Sequence, residues 1–189
     1  MRCGLLGKKL GHSYSPQIHS HLGDYTYELF EKTPEELESF LKHDDFSGLN
    51  VTIPYKQTVM PYCAELSETA RQIGAVNTIV NRGGKLFGYN TDFYGMSALI
   101  KRLGISLDGK KVVILGTGGT SKTVRAVALS MGAGEVVRVS RTSREDAVSY
   151  EELYAQHADA EIIVNTTPVG MYPRFTECPV DLTRFKRLK

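Results

Sequence analysis

The stretch that most constrains this chain is Val112-Val113-Ile114-Leu115, an unbroken apolar run that passes straight into Gly116-Thr117-Gly118-Gly119. A run with no polar face has none to offer to water, so it belongs to a strand covered on both sides, the central position of a parallel sheet. The glycines allow a tight turn, and the pattern from Thr120 to Met131 predicts a helix directly after it. Strands at Val136–Val139 and Ile162–Asn165, with a helix from Tyr150 to His157 between them, complete a βαβαβ pattern. That is half of a doubly wound α/β fold.

The turn itself reads Gly116-x-Gly118-x-x-Ser121, with Ser121 in place of the third glycine of the usual dinucleotide pattern. Backbone N–H groups at a helix N-terminus suit a pyrophosphate, and Gly116, Gly118, Gly119, Thr120 and Ser121 are the residues that would cradle it. The same letters also describe an ordinary strand-to-helix turn. The end of the next strand separates the two readings. An NAD site wants an acidic residue there for the ribose 2′-hydroxyl. Here stands Ser140-Arg141-Thr142-Ser143-Arg144. Guanidinium and hydroxyl donors suit a 2′-phosphate, so the residues favour NADP, with Arg141 the stronger partner and Arg144 equally readable as a solvated arginine.

The first half of the chain also alternates strands and helices. Strands are expected at Cys3–Gly7, Thr26–Phe30, Gly48–Ile53, Ala75–Val80 and Lys85–Tyr89, the last two joined by Arg82-Gly83-Gly84. Ser15-Pro16 reads as a helix cap followed by proline at the first helical position. Thr33-Pro34-Glu35-Glu36 reads as a capping box ahead of an apolar face of Leu37, Phe40 and Leu41. Parallel pairing is the default for such alternation. The expected division is a substrate domain over 1–101 and an NADP-binding, Rossmann-like domain over 102–189.

Lys56 closes Asn50-Val51-Thr52-Ile53-Pro54-Tyr55-Lys56, and Asp92 closes Gly88-Tyr89-Asn90-Thr91-Asp92. A lysine and an aspartate in one polar pocket can relay a proton, and beside a dinucleotide turn they suggest alcohol-to-ketone redox chemistry on a small polyol. The net charge of +2 gives no argument for nucleic acid, and no apolar run reaches membrane-span length. Cys3, Cys63 and Cys178 are scattered without metal-ligand spacing, as in a reduced cytoplasmic protein that holds no metal.

Over essentially its whole length the chain resembles the shikimate dehydrogenases. The resemblance rests on His12-Ser13-Tyr14-Ser15-Pro16, on the Asn50–Lys56 and Gly88–Asp92 segments, on Gly74-Ala75-Val76-Asn77-Thr78, and on Asn165-Thr166-Thr167-Pro168-Val169-Gly170-Met171. It implies reversible, NADP-linked interconversion of shikimate and 3-dehydroshikimate, on the route to chorismate and the aromatic amino acids. By the same resemblance Ser13 and Ser15 bind the substrate carboxylate, Asn50, Thr52 and Asn77 hold the substrate, and Lys56 and Asp92 are the catalytic pair. Thr166, Pro168 and Met171 line the nicotinamide side. His12, Tyr14 and Tyr55 read as structural or pocket-wall residues.

Family members run on for several tens of residues past Lys189, where they complete the cofactor sheet and supply a substrate-contacting glutamine. On that ground weakened or absent turnover is expected of this chain, and the edge after Ile162–Asn165 is expected to be open unless covered. A quinate/shikimate enzyme using NAD or NADP and a shikimate-binding module without turnover are the alternatives. The partners expected are the small-molecule substrate and cofactor, with neither nucleic acid nor membrane, and a homodimer is compatible with the sequence.

Overall fold

The computed structural model describes residues 1–11, 13–43, 45–143 and 145–188. His12 and Arg144 lie outside the described residues. The chain divides into two compact units, Met1–Thr91 and Asp92–Lys189.

The first unit contains strand β1 (Arg2–Gly7), helix α1 (Ser15–His19), β2 (Thr26–Glu31), α2 (Pro34–His43), β3 (Gly48–Val51), β4 (Glu65–Leu66), α3 (Glu68–Ile73), β5 (Thr78–Arg82) and β6 (Lys85–Tyr89). They build a six-stranded sheet in the order β2-β1-β3-β5-β6-β4. The sheet is mixed, which departs from the parallel pairing expected. β1 runs parallel to β2 and β3, whereas β5 is antiparallel to both β3 and β6. The cause is local. Gly83 and Gly84 both take positive φ (59° and 81°) in the two-residue connection, the geometry that folds a strand straight back on itself. β4 is only two residues long and carries no readable pattern.

One face of this sheet is the core. Leu6, Phe30, Leu49, Val51 and Ile79 pack there against Leu37, Phe40 and Leu41 of α2. Burial of each such side chain is worth about 1.5–3 kcal/mol, which fixes α2 more firmly than its cap does. The cap follows the expectation in part: the Glu36 carboxylate accepts the Thr33 N–H at 2.8 Å.

The second unit contains α4 (Asp92–Arg102), β7 (Lys111–Leu115), α5 (Gly119–Ser130), β8 (Glu135–Val139), α6 (Tyr150–Gln156) and β9 (Ile162–Asn165). The parallel sheet runs β8-β7-β9, with β7 central as its apolar run requires. Val112 and Ile114 face Val124, Val127 and Ala128 of α5 together with Ile100 of α4. Val113 and Leu115 face Leu153 of α6. This packing of Ile100 is why α4 belongs with the second unit, so that the division falls earlier than the boundary after 101 read from the sequence. Val180 and Phe185, beyond β9, are buried in the α6-side cluster with Ile163. The Tyr154 hydroxyl accepts the Asp181 N–H at 2.9 Å, and the Arg184 guanidinium lies 3.8 Å from the Tyr154 ring centroid.

Charges gather at the amino ends of this sheet. Lys111 bonds Asp159 at 2.8 Å and Glu135 at 3.3 Å, and Lys110 meets the buried Glu161 at 3.1 Å. Burial opposes the charge of Lys111, yet these two carboxylates push its pKa up.

Candidate active site

In the first unit the sequence-selected residues gather at one end of the sheet, past the carboxyl ends of β1 and β3, where ligands of open α/β sheets are held. β3 stops at Val51, short of the expected Ile53. The segment then turns through a cis Ile53–Pro54 bond, with the Tyr55 N–H donating to the Thr52 carbonyl at 2.9 Å. Tyr55 is 2% exposed, and its hydroxyl donates to the Lys32 carbonyl at 2.6 Å. That anchor, together with the Val76 N–H on the Lys56 carbonyl at 2.7 Å, sets the backbone that carries Lys56. Tyr55 is therefore structural, as expected. Thr52 is held by its N–H on the Leu6 carbonyl at 2.9 Å.

Asn50 lies directly opposite Thr78 in the β3–β5 register, and its Oδ1 accepts the Tyr27 hydroxyl at 2.6 Å. Burial pushes the Tyr27 phenol up to about 12, with the nearby Ser15 side chain pulling the other way. Ser15 is not a cap. Tyr14 occupies the N-cap position and Ser15 is the first helical residue, its N–H donating to Ser13 Oγ at 3.2 Å. The Ser13 hydroxyl thus meets the start of the helix, while the Ser15 hydroxyl caps nothing.

Asn77 is the most fully organised member. Its Oδ1 accepts the Thr91 N–H at 2.8 Å, and its Nδ2 donates to Thr91 Oγ1 at 2.9 Å. Thr78 Oγ1 donates to the same Oδ1 at 3.1 Å. Asn90, also buried, donates to the Ala75 carbonyl at 3.0 Å. These bonds clasp the start of β5 to the end of β6 and fix Thr91, the residue before Asp92. Asp92 itself opens α4 in the second unit. Beside Asn50, a shallow and largely apolar cavity of about 290 Å³ is lined by Tyr27, His19, Thr78 and Cys3 among others.

In the second unit the expected cofactor residues fall at the carboxyl ends of all three strands. Gly116 has φ 108°, and a side chain there would meet Thr166 Oγ1 at 2.7 Å, so only glycine fits. Thr166 is committed to the backbone: its N–H and hydroxyl both reach the Leu115 carbonyl, at 2.9 and 2.6 Å. Gly118 is the N-cap of α5, with no side-chain cap, and a Cβ built on it would point into open space. Gly119 and Thr120 form the first turn. Ser121 is fully buried, and its hydroxyl lacks a partner among the described residues. An uncapped helix start and an open approach over glycine together fit the pyrophosphate of a dinucleotide.

At the end of β8, Ser140 is buried and its hydroxyl is tied to the Thr142 backbone, while Arg141 and Thr142 are exposed. Pro168 and Met171 stand on the turn after β9, with Met171 exposed. Sequence reasoning missed two features here. Glu152 bonds both the Ser149 N–H, at 2.7 Å, and the Ser143 hydroxyl, which ties the arginine loop to the start of α6. The Ser149-x-x-Glu152 capping box was a readable signal for it. Tyr27 was the other omission, hidden as one letter in a strand. Among the described residues no cluster of His, Cys, Asp and Glu has the makings of a metal site, and no helix is long and apolar enough to cross a membrane.

Comparison with known proteins identifies the family. Residues 5–79 match the family model for the shikimate dehydrogenase substrate binding domain. The NADP(+) shikimate dehydrogenase of Clostridium beijerinckii is 38% identical over 195 residues, which cover 94% of this chain and 72% of the relative. The crystal structure of shikimate dehydrogenase 1 from Peptoclostridium difficile superposes with a TM-score of 0.89 at 38% identity, covering 99% of this chain and 74% of that one. The Thermus thermophilus enzyme, solved in complex with NADP(H) and shikimate, gives a TM-score of 0.85 at 30% identity over 98% of this chain and 75% of its own.

Proposed function

The chain belongs to the shikimate dehydrogenase family, and from that premise we propose that it interconverts shikimate and 3-dehydroshikimate with NADP as its cofactor. The observation that carries the reading is the pair of side-chain clasps in the first unit, Tyr27 on Asn50 and Asn77 on Thr91, with Asn50 in the segment that also bears Lys56. Neutral donors and acceptors fixed in advance are what a small polyol with one carboxylate needs.

In this reading the unit Met1–Thr91 takes the substrate. The Ser13 and Ser15 hydroxyls donate to the carboxylate, and Asn50, Thr52 and Asn77 bind ring hydroxyls. Lys56 Nζ receives the proton of the hydroxyl being oxidised and returns it in the reverse direction. The Asp92 carboxylate accepts a hydrogen bond from a substrate hydroxyl and orients it toward Lys56. NADP, when bound, supplies the hydride acceptor. The second unit holds it: the N–H groups from Gly118 to Ser121 take the pyrophosphate, Arg141, Thr142 and Arg144 take the 2′-phosphate on a turn that Ser140 braces, and Thr166, Pro168 and Met171 border the nicotinamide. The unpaired thiols Cys3, Cys63 and Cys178 suit a reducing cytoplasm.

The test is shikimate-dependent reduction of NADP, followed by NADPH absorbance with NAD in parallel, together with calorimetric titration of shikimate. NADP-selective turnover is the expected result. A chain that neither turns over nor binds shikimate would overturn the reading.

A further inference from the structure

The Tyr27 hydroxyl donates to Asn50 on β3. Its ring is held separately. The His19 imidazole stacks on it with centroids 3.7 Å apart and planes 12° from parallel, and His19 Nδ1 lies 2.7 Å from the Tyr25 hydroxyl. Helix α1 buries no residue of its own, and this stack ties it to β2.

A phenol carries one proton, and Tyr27 gives it to Asn50 Oδ1 at 2.6 Å. The bond holds the Asn50 amide against rotation. With Oδ1 engaged in this orientation, the side of the amide left for a ligand is the Nδ2 amino group, a donor.

We propose that Tyr27 is a positioning residue for substrate binding: its hydroxyl fixes the Asn50 amide so that Nδ2 donates to an oxygen of the polyol. The inference rests on the reading of Asn50 as a substrate ligand.

The experiment is a double-mutant cycle of Tyr27→Phe and Asn50→Ala on the full chain, read as the Kd for shikimate by calorimetry, with the Kd for NADP and the thermal midpoint as controls. Phenylalanine keeps the ring and its stack on His19. Tyr27→Phe alone is expected to weaken shikimate binding about tenfold, with NADP affinity unchanged and the thermal midpoint lowered only as far as the loss of one hydrogen bond requires. In the Asn50→Ala background the same change is expected to cost less than about twofold, because Tyr27 then has nothing to orient. Full-size losses in both backgrounds would overturn the inference, since Tyr27 would be acting independently of Asn50. Loss on Asn50→Ala with none on Tyr27→Phe would overturn it while leaving the substrate reading intact. No loss on Asn50→Ala would bring down the reading of Asn50 as a ligand, and the inference with it.

Discussion

The two units solve different recognition problems. In the first, polar side chains hold one another: Asn77 is clasped to Thr91 by bonds of 2.8 and 2.9 Å, and Tyr27 to Asn50 at 2.6 Å. In the second, the polar groups are tied to nearby backbone or left exposed. Thr166 is spent on the Leu115 carbonyl at 2.6 Å, Ser140 on its own turn, and Arg141 stands in solvent. A polyol offers only small neutral hydroxyls, so its site must be organised beforehand by side chains. A dinucleotide brings phosphates, which backbone N–H groups and one or two guanidinium groups can meet without a network. The contrast teaches that substitutions in the first unit should damage several groups at once, and those in the second only one.

The largest effect is expected at Lys56. Lys56→Ala should lower shikimate oxidation by about 10²–10⁴-fold, the usual share of a positioned acid–base group. The thermal midpoint, read alongside, separates loss of chemistry from loss of fold. Turnover close to that of the unmodified chain would remove Lys56 from the chemistry.

Next comes the network itself, tested by a matched pair. Asn77→Ala removes a buried amide together with its bonds to the Thr91 N–H and hydroxyl, and should cost about 1–3 kcal/mol of stability as well as substrate affinity. Thr166→Val removes one hydroxyl from a carbonyl that keeps the Thr166 N–H, and should cost at most about 0.5–1.5 kcal/mol. Urea unfolding of the two variants gives the comparison, and equal losses would break it.

A smaller and more selective effect belongs to Arg141. Arg141→Asp should raise the KM for NADP about tenfold, the order expected for losing a charge-assisted bond to phosphate. Stability and KM for NAD should be spared, because the side chain is exposed. Parallel loss for both cofactors would mean that it does not read the 2′-phosphate.

What could be read from the letters follows the same divide. The β7 run and its glycine turn are local, so strand, turn and helix start could all be placed, and Gly116 proved irreplaceable for a reason the pattern implies. The clasp of Asn77 on Thr91 depends on β5 and β6 folding back through Gly83 and Gly84; the turn was readable, but the side-chain bonds across it were not. Ser15 was taken for a cap because Ser-Pro so often is one; here the chain enters α1 a residue earlier, through Tyr14. Tyr27 was invisible for a plainer reason: strand alternation tells which face a residue takes, not which partner waits there. The burial of Val180 and Phe185 had no periodicity to announce it.

The smallest expected effect is one of pH, and it isolates the first unit. Burial pushes the Cys63 thiol from 9.0 up to about 11. The unfolded chain therefore releases this proton near pH 9.0, while the folded chain keeps it until about 11. The stabilising contribution is complete below the unfolded value and is lost as pH climbs through that window, with a slope of at most about 1.4 kcal/mol per pH unit. Tyr27 and Tyr55, also raised by burial, join only above their unfolded value of 10.0, so the first part of the decline belongs to the thiol. Cys178, in the second unit, is exposed and has no such burial to lose. Cys63→Ala should flatten the fall in urea midpoint between pH 9.0 and 10.0, whereas Cys178→Ala should leave it unchanged. If both variants decline as steeply as the parent, the alkaline sensitivity arises outside the first unit's thiol, and the asymmetry between the two units does not extend to their titration.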